Sequence, residues 1–156
     1  MLDKLDQTDI RILQILQDNA RLTNKEIGEK LFKSASTIND RIRRMQDKGY
    51  IKKYVAVLDP KMIGRGFTAF THVHLKDHSK EIINHFESEI VKLPEVLECY
   101  HMSGQYDFIL RVAVKDLDAY HIFLMNNLFE KFSIGSIEST FVMREAKAEM
   151  AAPFLP

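Results

Sequence analysis

At 156 residues, with 46% hydrophobic and 28% charged side chains, the chain is long enough for one ordinary domain or two small ones and too apolar for intrinsic disorder. Its apolar runs, such as 108–110 and 122–125, fall far short of the roughly 20 residues that cross a bilayer, and no signal-peptide core follows Met1. The lone cysteine, Cys99, excludes an internal disulfide or a multi-cysteine zinc site, so a cytoplasmic protein with a buried structural thiol is expected.

The zero net charge conceals a segregation. Between residues 30 and 53, Lys30, Lys33, Arg41, Arg43, Arg44, Lys48, Lys52 and Lys53 are opposed only by Asp40 and Asp47, whereas from Met62 onward nine basic residues meet thirteen acidic ones. A concentrated cationic segment in a neutral chain suits a phosphate-binding face, although a charge run taken alone is more often a solvated surface.

Three helices are expected in the first fifty residues. Asp6 is placed to cap the first, with Asp9 at the third helical position and Leu5 stapled to Ile10. Thr23-Asn24-Lys25-Glu26 is a capping box opening the second, with Leu22 and Ile27 as its staple. Ile12, Leu13 and Leu16, then Ile27 and Leu31, recur at helical spacing and predict a small shared core. Gly28 inside the second helix should cost up to about 1 kcal/mol relative to alanine unless close packing requires it.

The third helix is predicted to run from a Ser34 cap to Gly49. Ile38, Ile42 and Met45 form its inner stripe; Ala35, Ser36, Asn39, Arg43 and Gln46 project outward, flanked by Arg41 and Arg44. Short polar groups at one end and guanidinium groups further along suit a helix laid in a major groove: small residues permit close approach, Asn can read adenine, and Arg grips phosphate or guanine. A solvated amphipathic helix has the same pattern. The strand-prone stretch 51–58 follows at once, and its Lys52 and Lys53 suit a wing. The candidate DNA contacts are thus Ser34, Ala35, Ser36, Thr37, Asn39, Arg41, Arg43, Arg44, Lys52 and Lys53.

Here the chain resembles the Lrp/AsnC, or feast/famine, family of regulators. The matching residues are Leu5-Asp6 with Asp9 and Ile12-Leu13; 19–23; Ser34 with Ser36-Thr37-Ile38; Arg41-Ile42 with Arg44-Met45; Gly49-Tyr50-Ile51; and Leu58-Asp59-Pro60 leading to Gly64. Phe32 departs from the pattern, standing where the family often has glycine in the turn between helices two and three.

Asp59-Pro60 and Gly64-Arg65-Gly66 place a domain boundary between residues 59 and 66. The expected organisation is a winged helix-turn-helix at 1–60, a flexible linker at 61–66 and a second domain at 67–156. The latter reads as strand 67–75, helix 79–93, strand 96–102, strand 108–114, helix 117–129 and strand 137–143. That order, β-α-β-β-α-β, predicts a ferredoxin-like α+β unit with two helices on one face of an antiparallel sheet. Ile82, Phe86, Ile90 and Leu93 give the first of these helices its apolar stripe, and Leu117, Tyr120, Leu124 and Leu128 the second. Because both faces of 108–114 are mostly apolar, the uncovered side of the sheet is expected to meet another copy of the chain.

The loop Ser103-Gly104-Gln105-Tyr106-Asp107 has two readings. A glycine turn can offer backbone N–H groups to a carboxylate while Asp107 accepts from an ammonium group; equally, it is an ordinary hairpin with Gly104 chosen for its backbone. The resemblance implies the former, since Gly-x-Tyr-Asp is similar to the family's effector loop, which binds amino acids or related metabolites at contacts between dimers. His72-x-His74 followed by His78 raises the question of a metal site, but no carboxylate cluster of matching spacing accompanies them, so interface or surface histidines are expected and neither metal nor cofactor. No phosphate-binding loop, nucleophile elbow or zinc-protease motif is present, so catalysis is not expected. The resulting expectation is a non-enzymatic, sequence-specific regulator that binds double-stranded DNA and a small effector, assembled as homodimers and further into tetramers or octamers. The competing readings are an architectural DNA-binding protein without an effector and a ligand carrier or enzyme.

Overall fold

A computed structural model describes residues 5–148, which divide into two compact units, one of residues up to 56 together with 147–148 and one of residues 57–146. The first holds α1 (Gln7–Asp18), α2 (Asn24–Leu31) and α3 (Ala35–Asp47). Both expected capping boxes form. Asp6 Oδ1 accepts from the Asp9 N–H at 2.8 Å, and the Glu26 carboxylate accepts from the Thr23 N–H at 2.7 Å. Ile12, Leu13, Ile27, Ile38 and Met45 are buried together, with Leu5, Leu16, Leu31 and Ile42 against them. α3 closes as expected at Gly49 (φ 78°): the Tyr50 N–H donates to Met45 O and the Gly49 N–H to Gln46 O, the paired bonds of a left-handed helix end.

The turn between α2 and α3 keeps its tight geometry despite Phe32. That residue takes the left-handed conformation (φ 55°, ψ 45°) with its ring 95% exposed, so its bulk meets no neighbour and only the backbone penalty of about 1 kcal/mol remains. Gly28 is required by packing. A Cβ there would stand 2.6 Å from Lys33 O, because the turn folds back onto the helix and the Lys33 N–H donates to Gly28 O at 2.9 Å.

The expected strand at 51–58 does not form within the chain. Ile51 packs against the helical core, but Val55, Val57 and Leu58 are exposed, and a ladder needs a partner strand that this unit does not supply among the described residues. The segment 61–66, read as flexible backbone, is a run of hydrogen-bonded turns: the Lys61 N–H donates to the Asp59 carboxylate, the Arg65 N–H to Pro60 O and the Gly64 N–H to Lys61 O.

The second unit holds β1 (Phe67–Leu75), α4 (Lys80–Ile90), β2 (Val96–His101), β3 (Phe108–Val114), α5 (Leu117–Phe123) running on as a π-helix (Leu124–Phe129), and β4 (Ile134–Phe141). All pairings are antiparallel in the order β2-β3-β1-β4, the ferredoxin-like arrangement. Ala69, Val73 and Leu75 of β1 with Phe108, Leu110, Val112 and Val114 of β3 face the helices and bury Phe86, Ile90, Tyr120, Phe123 and Leu128. The Tyr120 hydroxyl, inside this core, bonds with Thr71 and Ser139 at 2.7 Å each, which satisfies the buried Thr71 side chain and ties α5 to β1 and β4.

Three expectations are corrected. Leu117 is 55% exposed, because Asp116 caps α5 and the cap turns position 117 outward; Phe123 fills the core instead. β4 starts at Ile134 rather than 137: a bulge at His74/Leu75 lets the ladder continue past Gly135, whose missing Cβ would lie 3.1 Å from His74 O. The open face of the sheet is mixed rather than apolar. Ile109, Phe70 and Tyr100 share it with His72, His74, Glu138 and a 2.6 Å Arg111–Glu98 ion pair, because the neighbouring strands bring polar residues beside β3's apolar ones.

Urea denaturation should show opposite signs at the two ends of the α2–α3 turn. Phe32→Gly should raise stability by about 1 kcal/mol by removing the left-handed penalty, and Gly28→Ala should lower it by about 1–3 kcal/mol through overpacking against Lys33 O.

Candidate nucleic-acid interface and effector loop

α3 is held by a carboxylate buried beneath it. Asp9, 1% exposed, accepts from Arg41 Nη1 at 2.8 Å and from Arg44 Nη2 at 2.6 Å, and Arg41 also reaches Asp6 at 2.6 Å. The hydrogen bonds from Arg41, ahead of that from the Asp9 N–H, hold the Asp6 carboxyl below its ordinary range, and the same pair of acids raises the Arg41 guanidinium above its own. Arg41 is thereby braced against both acids of α1, with about a quarter of its side chain left exposed. Arg44 is half exposed yet neutralised by Asp9.

The remaining candidates are accessible. Ser34, Ala35, Ser36, Thr37, Asn39, Arg43, Lys52 and Lys53 are all exposed. At the start of α3 the Ser34 hydroxyl accepts from the Thr37 N–H at 3.2 Å and lies 3.0 Å from the Ser36 hydroxyl, so the first turn is satisfied locally and stays narrow. Asn39 accepts from the Asn24 amide at 3.1 Å, which fixes its side chain against α2. Arg43 is exposed on α3, and Lys52 and Lys53 are exposed in the segment that follows the helix.

In the second unit the loop 103–107 joins β2 to β3. Ser103, Gly104 and Gln105 are exposed, and Gly104 adopts φ 145° with open space around it. Tyr106 and Asp107 are already engaged. The Tyr106 hydroxyl donates to Glu138 and its ring lies 4.8 Å from that of His72. Asp107 Oδ2 accepts from the Leu75 N–H at 2.8 Å and lies 3.1 Å from His74 Nδ1, while Oδ1 is 3.0 Å from His78 Nε2. Burial pushes the Asp107 carboxyl up, but the Leu75 N–H and the imidazoles of His78 and His74 outweigh it and hold the group below its ordinary range. The absence of a carboxylate near His74 and His78, inferred from spacing, is thus overturned: β1 and β3 are hydrogen-bonded neighbours, and their pairing brings position 107 to residues 29 to 33 earlier in the chain.

Two features had no sequence signal. The π-turn at 124–129 closes with the Glu130 N–H donating to Met125 O, and nothing in the periodicity separates it from an α-helix. A shallow cleft of about 320 Å³ lies beside it, lined by Arg65, Glu95, Lys115, Ile122, Phe123 and Asn127. Cys99 is half-buried and its thiol is pushed up to about 11 by burial and by Glu87, so it stays protonated.

A winged helix-turn-helix DNA-binding profile matches residues 5–52, and that of the Lrp/AsnC ligand binding domain matches residues 68–152. The chain belongs to the Lrp/AsnC family. The Bkd operon transcriptional regulator of Pseudomonas aeruginosa is 34% identical over 150 residues, spanning 96% of this chain and 98% of that protein. A transcriptional regulator from Neisseria meningitidis, solved as an L-Met complex, superposes with a TM-score of 0.89 at 34% identity over 96% of this chain and 97% of its own. An AsnC family regulator from Agrobacterium tumefaciens gives a TM-score of 0.90, with the same identity and coverage. As an Lrp/AsnC protein the chain is a DNA-binding transcriptional regulator: α1–α3 fall within its DNA-binding profile, and loop 103–107 within its ligand-binding domain. No helix among the described residues is long and apolar enough to cross a membrane.

Arg41→Ala should destabilise the first unit by about 2–3 kcal/mol in chemical denaturation, since it deprives a buried carboxylate of a charged donor, whereas Arg43→Ala should change stability by less than about 0.5 kcal/mol. Acid should act in the same place. The Asp6 carboxyl is depressed in the folded state, so its contribution is present above its ordinary value near 3.8 and disappears as pH falls through the lower folded value. Asp6→Asn should therefore flatten the loss of stability below about pH 4, read from unfolding midpoints across a pH series.

Proposed function

We propose that the outer face of α3 reads an operator in the major groove, and that an amino acid bound in the second unit alters DNA affinity or assembly. The observation that carries the first half is the accessible strip from Ser34 to Arg43 with its narrow N-terminal turn. Ala35, Ser36 and Thr37 allow the helix close approach to base edges, Asn39 and Arg43 supply hydrogen bonds, and Lys52 and Lys53 take phosphates. Arg44 retains a donor edge for phosphate, while Arg41 acts only by fixing the angle of α3 on α1.

Assembly follows from surfaces that one chain leaves uncovered. The segment 52–58 carries exposed Val55 and Val57 with no ladder partner among the described residues, and the sheet's open face exposes Phe70 and Tyr100. Pairing with a second copy satisfies both, so we propose a homodimer capable of forming tetramers or octamers. A two-fold dimer presents two α3 helices to half-sites about 34 Å apart. The setting for such a protein is the cytoplasm, on chromosomal DNA, and no step of the proposal requires turnover.

The effector is proposed to be an amino acid held near Ser103, Gly104 and Gln105, with Tyr106 and Asp107 ordering the loop. The relative crystallised with L-Met supports this class of ligand.

DNA fluorescence anisotropy at increasing salt tests the interface. Arg43→Ala should weaken operator binding and relax sequence preference, and Lys52→Ala or Lys53→Ala should weaken all DNA evenly and lower the salt slope by about 1 each. Wild-type affinity in an Arg43→Ala/Lys52→Ala/Lys53→Ala variant would remove the proposed surface. A thermal-shift screen of the amino acids tests the second half: a ligand that stabilises the protein and changes its mass in solution is expected, and indifference to all of them with little DNA sequence preference would leave an architectural protein instead.

A further inference from the structure

His74 lies on the open face of β1, His78 sits in the turn after that strand, and Asp107 immediately precedes β3, so the β1–β3 ladder assembles the three from distant segments. One nitrogen of each imidazole and a carboxylate oxygen all lie within 4.8 Å of one another. Nitrogen and oxygen donors bound to zinc at about 2.0–2.2 Å in a tetrahedron stand about 3.3 Å apart. The His74–Asp107 and His78–Asp107 separations, 3.1 Å and 3.0 Å, are already close to that spacing. Only the His74–His78 edge has to shorten, and His78, half exposed in a turn, has the freedom to do it.

Hydrogen bonding does not account for the arrangement by itself. His74 Nδ1 is buried and has no hydrogen-bond partner, although a carboxylate oxygen is 3.1 Å away. The contact lacks the alignment of an N–H···O bond, and a buried imidazole nitrogen left in that state is costly. A cation between nitrogen and carboxylate removes the cost at both groups. The carboxylate is also oriented as a metal ligand is: Leu75 N–H donates to Oδ2 at 2.8 Å, and the Asp107 backbone is held by Val73 O and the Met102 N–H.

We propose that His74, His78 and Asp107 bind one divalent transition-metal ion of the zinc, cobalt or nickel type. Two imidazoles and a carboxylate suit such ions, whereas calcium and magnesium favour all-oxygen shells. Three protein ligands leave at least one coordination position, open to water or to the carboxylate and amine of an amino acid. The proposal goes beyond the effector reading, because it gives the loop a metal ligand in Asp107 where that reading needs only an ordered turn.

The test uses untagged full-length protein stripped with a chelator and titrated with Zn²⁺ alone by calorimetry. Saturable uptake of one ion per chain is expected, as is a Co²⁺ absorption band without thiolate charge transfer. His74→Gln and His78→Gln should each weaken Zn²⁺ binding by about tenfold or more, while His121→Gln, on the exposed side of α5, should not. Absence of saturable uptake would overturn the site. So would wild-type stoichiometry and affinity in His78→Gln, a substitution in an exposed turn whose fold is checked by circular dichroism. An amino-acid thermal shift that persists in stripped protein showing no metal uptake would sink the metal site and leave the effector reading standing.

Discussion

Asp9 sets the geometry of the DNA-binding unit. A carboxylate buried under α3 requires positive partners, and it finds them in Arg41 and Arg44, one turn apart on the same helix. Because the two guanidinium groups approach from different positions along α3, the acid constrains the rotation of that helix as well as its distance from α1. With Ile38 and Met45 buried on the inner side, the outer side of α3, from Ala35 through Asn39 and Arg43 to Gln46, is left to solvent. The same capping box that starts α1 supplies Asp6 to the network, so local helix chemistry and the orientation of α3 share residues.

The consequence for charge is that the cationic segment is smaller than its composition suggests. Two of its arginines are paired with the carboxylates of Asp6 and Asp9, and its other exposed cations are Lys30, Lys33, Arg43, Lys48, Lys52 and Lys53.

In the second unit, Asp107 plays a comparable part at the end of the sheet. Its backbone bridges Val73 and Met102 and its carboxylate gathers Leu75, His74 and His78, so the loop before it is anchored at one end while Ser103 to Gln105 remain exposed. The loop thus lies beside β1, at the end of a mixed and partly exposed sheet face.

Local chemistry was legible in the sequence wherever it depends on residues within a turn or two of one another. Caps at Asp6, Thr23 and Ser34, the helix end at Gly49, and β1 and β3 at their full lengths all follow from short-range rules of hydrogen bonding and periodicity. The family resemblance was legible for the same reason, being carried by these ordered signals. Tertiary structure decided what depends on partners far along the chain. Arg41 read as an unpaired cation until Asp9 came beneath it; residues 51–58 had a strand's composition but no strand to pair with among the described residues; and His74, His78 and Asp107 became one cluster only when β1 met β3. A sequence records which groups a residue carries, whereas their charges and bonds are settled by what folding places within about 3 Å of them.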